Sequence, residues 1–140
     1  MKLGVVGAQA AVRMGPIDCA VSTDPGDVAR RWLAAFNAGD VEALIELYAE
    51  DAVHESPKVR KAMPGSDGKL VGKAAMRSWW QQAFSRLPGI TYELTAVTSD
   101  SSRAVIEYIR RAPGEQPIAV AEAFEVRDGK IVHSIVYHFD

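Results

Sequence analysis

The residues of this chain whose types and spacing could do chemistry are two histidines, a serine and one oddly placed carboxylate: His54, Ser56, Glu122 and His138. His54 and Ser56 stand two apart in Asp51-Ala52-Val53-His54-Glu55-Ser56, so in a strand they share a face and could form a polar pair. A serine nucleophile would also need an orienting third group and an oxyanion hole, and neither is legible, so a hydrolase is not expected. The plain alternative is a hydroxyl that satisfies the backbone beside Pro57 and a histidine that is simply packed. Glu122 interrupts the apolar series Ile118, Val120, Phe124, Val126. A carboxyl buried in such company is held neutral and can act as a hydrogen-bond donor or general acid. Its structural alternative is a pairing with Arg110 or Arg111 across the hairpin. His138 stands near the end of the last strand, with Asp140 beside it.

Two histidines and a glutamate also invite a metal reading, but the chain holds no H-x-x-x-H helix and no H-x-H strand pair. No metal and no cofactor are expected. Trp32, Tyr108, Phe124, Val136 and Trp80 form the expected ligand-binding set, with Tyr92 adding aromatic surface, although the same residues would serve equally as core. Adjacent helical positions point about 100° apart, so of Trp79 and Trp80 one is expected on the core and the other at a loop or pocket rim. Lys58, Arg60 and Lys61 are either a solvated loop or a clamp for an acidic group.

Positioning these residues requires a particular set of elements. Thr23-Asp24-Pro25 is a helix start, an N-cap followed by proline at the first helical position. Val28, Trp32 and Phe36, with Ala29 and Leu33, then make one apolar stripe over about 25–38. Gly39 stops that helix and Asp40 caps a second, whose buried face is Val41, Leu44, Leu47 and Tyr48, to about 49. A short strand at 51–56 follows, then an aperiodic stretch over 57–70 that reads as a loop over the domain mouth. A third helix spans about 72–87. Strands are expected at about 90–98, 103–111, 118–127 and 130–139, the last pair joined by Asp128-Gly129. In the last strand Ile131, His133, Ile135, Tyr137 and Phe139 fall on one face and Val132, Ser134, Val136, His138 and Asp140 on the other.

Helices followed by an antiparallel meander imply an α+β class. At 140 residues the chain has the length of one domain, and residues 23–140 are expected to form it, with residues 1–22 a flexible extension or, as the alternative, a secretory signal. Gly4-Val5-Val6-Gly7 lacks the spacing of a dinucleotide loop. A net charge of −2 gives no general reason to bind nucleic acid, no apolar run reaches the length of a membrane helix, and the single cysteine, Cys19, excludes an internal disulfide. A cytoplasmic location fits that composition.

Phe36-Asn37-Ala38-Gly39-Asp40, Leu47-Tyr48-Ala49-Glu50-Asp51-Ala52-Val53, Val71-Gly72-Lys73 and Arg127-Asp128-Gly129-Lys130-Ile131-Val132, in this order, resemble the NTF2-like superfamily, which includes SnoaL-like polyketide cyclases and ketosteroid isomerases. The resemblance covers residues 24–140. It implies a cone-shaped fold, three helices on a strongly curved and mostly antiparallel sheet enclosing a pocket, and a homodimer through the sheet's outer face. It also implies a small hydrophobic ligand, with no nucleic acid and no membrane as partner. Laid on the isomerase pattern, Trp32 stands where relatives have the oxyanion-hole tyrosine, Ser56 where they have the base, and Glu122 where they have the protonated acid. Only one of the three positions keeps an ionisable group. The Asp-Arg-Asp array of limonene-epoxide hydrolases is not reproduced in Val105-Ile106-Glu107-Tyr108-Ile109-Arg110 or Ser134-Ile135-Val136-Tyr137-His138. What the resemblance leaves is cofactor-free acid–base chemistry on a small carbonyl compound, by Glu122 and His54 with His138 and Ser56 assisting, or a non-catalytic ligand-binding scaffold.

Overall fold

The computed structural model describes residues 22–138; the expected extension at its positions 1–21, and Phe139 and Asp140, lie outside the described residues. Helix α1 (Pro25–Asn37) is capped by the Asp24 carboxylate, which accepts from the Asp27 amide at 3.1 Å. Its stripe of Val28, Ala29, Trp32, Leu33 and Phe36 is buried against the sheet. Gly39, at φ +66°, makes the corner that a side chain would strain, and Asp40 caps α2 (Val41–Glu46) by accepting from the Ala43 amide. Then come β1 (Tyr48–Glu55), α3 (Pro57–Ala62), β2 (Lys69–Val71) and α4 (Lys73–Arg86), followed by β3 (Thr91–Ser99), β4 (Arg103–Arg111), β5 (Ile118–Arg127) and β6 (Lys130–His138). The six strands form one curved sheet in the order β2-β1-β6-β5-β4-β3, antiparallel throughout except where β1 runs parallel to β6. The class is α+β, as expected.

Several local expectations change. The second helix ends at Glu46 rather than near 49, so Tyr48 opens β1 instead of lying on a helix face, and it pairs with Ile131. The stretch 57–70 is not all loop. Ser56 and Pro57 start α3, whose single buried residue, Val59, leaves no periodicity to read, and β2 pairs with β1. A helix of six residues shows itself only through its cap.

The last strand departs from simple alternation. Glu125 pairs with His133 and Val126 with Ile131, which leaves Val132 as an extra residue in a β-bulge. Two residues of β6 therefore oppose one of β5 there. Ile131, expected to share a face with His133 and Tyr137, is instead fully buried, on the side of Ser134. Beyond the bulge the expected faces hold: Ser134 is buried, Val136 and His138 line the interior, and Tyr137 is 54% exposed. Among the described residues no helix is long and apolar enough to cross a membrane.

Candidate functional site

The concave side of the sheet and helices α1, α3 and α4 surround a cavity of about 380 Å³, within the range of small-molecule sites. Its deep end is aromatic. Trp32 meets Phe124 at 5.3 Å between ring centroids, stands edge-on to Trp80 at 6.3 Å and stacks on Tyr92 at 6.1 Å; Tyr92 stacks in turn on Tyr108 at 4.1 Å. Trp80 points inward and is buried, whereas Trp79, the next position round the helix, is half-buried at the rim.

A buried polar chain threads this apolar wall. The Trp32 indole N–H donates to the Tyr48 hydroxyl at 3.1 Å, Tyr48 and Ser134 lie 3.0 Å apart through their hydroxyls, and Ser134 Oγ is 2.7 Å from His54 Nδ1. An indole can only donate. The arrangement that gives every hydroxyl hydrogen an acceptor therefore runs one way: Tyr48 donates to Ser134, and Ser134 to His54 Nδ1. His54 is then the neutral tautomer with its hydrogen on Nε2, which makes no hydrogen bond among the described residues. Burial, with the His133 charge as a smaller cause, lowers its pKa to about 4, in keeping with a neutral ring. Burial also raises the Tyr48 hydroxyl, with the nearby Glu122 carboxyl adding to it.

Glu122 is 1% exposed and makes one hydrogen bond, accepting at Oε1 from the Tyr108 hydroxyl at 2.9 Å. Oε2 has no hydrogen-bond partner among the described residues and lies 4.0 Å from His54 Nδ1. Burial pushes this carboxyl up to about 8, partly offset by the Tyr108 bond. With Glu122 near 8 and His54 near 4, the shared proton stays on the carboxyl. At neutral pH the two are uncharged neighbours and not an ion pair. The alternative partners are engaged elsewhere: Arg110 holds Glu115, and Arg111 holds Glu93 at 2.9 Å. Opposite Glu122 in the ladder are Ile106 and Val136.

Of the residues expected at the site, His54, Ser56, Glu122, His138, Trp32, Tyr108, Val136 and Trp80 all line this cavity. Phe124 does not; it is fully buried in the core against Trp32. His54 and Ser56 do not pair. The Ser56 hydroxyl accepts from the Lys58 amide at 3.1 Å as the cap of α3, while His54 bonds Ser134. Lys58 and Lys61 line the cavity, but Arg60 lies beside Gly68. Two members of the site carried no expected role there, Tyr48 and Ser134, which hold His54, and Arg110, expected only as a partner for Glu122, lines the cavity. For Ser134 the alternation of β6 already indicated the interior face; nothing in the sequence joined it to His54, 80 residues away. Among the described residues no group of three or more His, Cys, Asp or Glu side chains comes together as a metal site would need.

The family model of the SnoaL-like domain matches residues 29–134. Among solved structures, a SnoaL-like protein of unknown function from Burkholderia thailandensis is similar at 24% identity and a TM-score of 0.72, over 83% of this chain and 95% of that one. An NTF2-like protein of unknown function from Cytophaga hutchinsonii is similar at 15% identity and a TM-score of 0.69, over 88% and 95%. A protein with a ketosteroid isomerase-like fold from Catenulispora acidiphila, in complex with trimethylamine, is similar at 16% identity and a TM-score of 0.67, over 79% and 84%. At these identities the structural likenesses speak to the fold.

Proposed function

The chain belongs to the SnoaL-like domain family, and from that premise we propose that it binds a small, largely apolar carbonyl compound in the central cavity and moves a proton on it without a cofactor. The observation that carries this reading is the Glu122–His54 pair, a neutral carboxyl with one unpartnered oxygen 4.0 Å from a neutral imidazole, both on the cavity wall. A carboxylic acid kept neutral in an apolar site can donate to a carbonyl oxygen and stabilise the charge that develops there. Glu122 would give its proton to that oxygen while a carbon-bound hydrogen beside the carbonyl leaves as a proton. The C–H electron pair becomes the enol double bond. His138, on the same wall, is the acceptor we assign, and His54 Nε2–H is a second donor for the oxygen. Isomerisation, cyclisation and dehydration all begin from such an enol. The relative in complex with trimethylamine supports small-molecule binding by the fold.

All three tryptophans of the chain, Trp32, Trp79 and Trp80, line the cavity, so an occupant must perturb the intrinsic fluorescence. Titration with 2-acetylnaphthalene is expected to quench it saturably. In deuterium oxide the same protein is expected to exchange the ketone's methyl hydrogens at least about 100-fold faster than buffer, the usual scale of general acid–base assistance. Absence of binding would refute the pocket reading. Binding without exchange would favour a ligand-binding scaffold, a reading supported by the bonds of Ser56 to the α3 backbone and of His54 to Ser134.

The outer face of the sheet is the surface we assign to a second copy of the chain. An open hollow of about 540 Å³ takes in Ile109, Ala119, Ala121 and the exposed ring of Tyr137 from this face, and it extends to Tyr108, Val120, Val136 and His138, which also line the central cavity. Small residues on a sheet let another sheet approach closely, and an exposed apolar surface of this kind is usually covered. Sedimentation equilibrium is expected to give a dimer that Tyr137→Lys converts to monomer at micromolar concentration; a monomeric wild-type protein would refute the assignment.

A further inference from the structure

Four cationic side chains, Lys58, Lys61, Arg86 and Arg110, line the cavity, against a single carboxyl, Glu122. The whole chain has a net charge of −2, so this excess is local. It is also one-sided. Along β5 the interior positions run Phe124, Glu122, Val120, Ile118, and Arg110 on β4 pairs with Ile118, four residues beyond Glu122. At ~3.3 Å per residue that is about 13 Å along the strand. Lys58 and Lys61 come from α3, and Arg86 from the last turn of α4. All three are exposed, and none is in an ion pair among the described residues.

Arg110 differs from the other three because it is only 5% exposed while still lining the cavity. Its guanidinium holds Glu115, from the loop between β4 and β5, and lies against the Tyr92 hydroxyl. An arginine presents five N–H donors in a planar fork that fits a carboxylate two bonds at a time. Glu115 and Tyr92 cannot fill all five. Arg110 thus faces the cavity with Glu115 on one side, and the donors that Glu115 and Tyr92 leave can meet an anion that enters from the other.

We infer that the ligand of this cavity is an apolar acid: a molecule whose carbonyl end sits at Glu122 and whose other end carries a carboxylate or similar anion, received by Arg110 with Lys58, Lys61 and Arg86 at the rim. This deepens the function proposed above and rests on its reading of the cavity as a ligand site. The exposed cations attract the anion and guide it in, an effect screened by salt; Arg110, buried and hydrogen-bonding, holds it.

The test compares two probes that share a ketone and differ in charge, 6-acetyl-2-naphthoate and 2-acetylnaphthalene, each titrated by tryptophan fluorescence. The naphthoate is expected to bind at least tenfold more tightly at low ionic strength. Arg110→Gln is expected to abolish that preference, and the surface double variant Lys58→Gln/Lys61→Gln, which cannot disturb the core, to reduce it by about threefold and to weaken its salt dependence. Equal affinities of the two probes for the wild-type protein would overturn the anionic-ligand inference and leave the pocket standing. A preference that survived both variants would overturn it as well. If neither probe bound, this inference and the pocket reading would both fall.

Discussion

Glu122→Gln is expected to flatten the pH dependence of stability between about pH 6.5 and 8 and to lower methyl-hydrogen exchange of 2-acetylnaphthalene by 100-fold or more. The sign follows from which state binds the proton. The folded protein raises the Glu122 carboxyl from 4.5 to about 8, so between those values the native state holds a proton that the unfolded chain has released. Stability from this group is complete below pH 4.5 and is lost as pH rises toward 8. His54 works in the opposite direction. Its pKa falls from 6.5 to about 4, so its contribution is complete above 6.5 and is lost as pH falls toward 4. The two slopes cancel between about 4.5 and 6.5, and above 6.5 only Glu122 remains. At ~1.4 kcal/mol per pH unit this is a fall of about 2 kcal/mol by pH 8. A glutamine at 122 keeps an acceptor for the Tyr108 hydroxyl and a donor toward the cavity, but it has no proton to lose. Urea melts of both proteins at pH 6.5 and 8 read the difference directly. A wild-type protein with unchanged stability over that interval would show that Glu122 is ionised in the folded state, and the donor role would fail with it.

Trp32→Ala is expected to cost about 3 to 5 kcal/mol, the usual range for an aromatic side chain removed from a core. Trp32 is 1% exposed and meets Phe36, Trp80, Tyr92 and Phe124, so its ring joins α1 to α4 and the sheet. Its loss also strips the Tyr48 hydroxyl of its indole donor, at the head of the chain that orients His54. Trp32→Phe separates the two contributions. It restores most of the ring contacts without the N–H, and a cost of about 1 to 2 kcal/mol is expected for a buried hydroxyl that loses one of its partners. Thermal melts of the two variants measure both values. A Trp32→Ala protein as stable as wild type would mean that the aromatic cluster is not the keystone of the core.

Much of this arrangement was legible in the chain. The stripe of Val28, Trp32 and Phe36 has helical period over three turns, and the alternation through Val120, Glu122 and Phe124 has strand period, so both elements and their buried faces follow from side-chain type alone. Helix α3 and strand β2 were not, because six and three residues offer too little sequence for a period to appear. Val132 was not, because a bulge inserts a residue without any change of composition. The interior placement of Glu122 was legible as a break in an apolar series, whereas its partner was not. Arg110 and Arg111 are closer in sequence than many true partners, yet both are occupied by other carboxylates.

The sequence by itself determined the class of the fold and marked Glu122 as the carboxyl that breaks an apolar strand face. These depend on local periodicity and on the cost of burying one polar group among apolar neighbours, both of which act over a few residues. Only the tertiary structure decided that Tyr108 and His54 would be the groups beside Glu122, that Tyr48 and Ser134 would hold His54, and that Lys58, Lys61, Arg86 and Arg110 would gather on the same cavity. Those encounters are set by the curvature and register of the sheet and by the angle at which α3 and α4 close over it. Hydrogen bonds and fields reach only a few ångströms through space, and which distant residues come that close is a property of the folded chain.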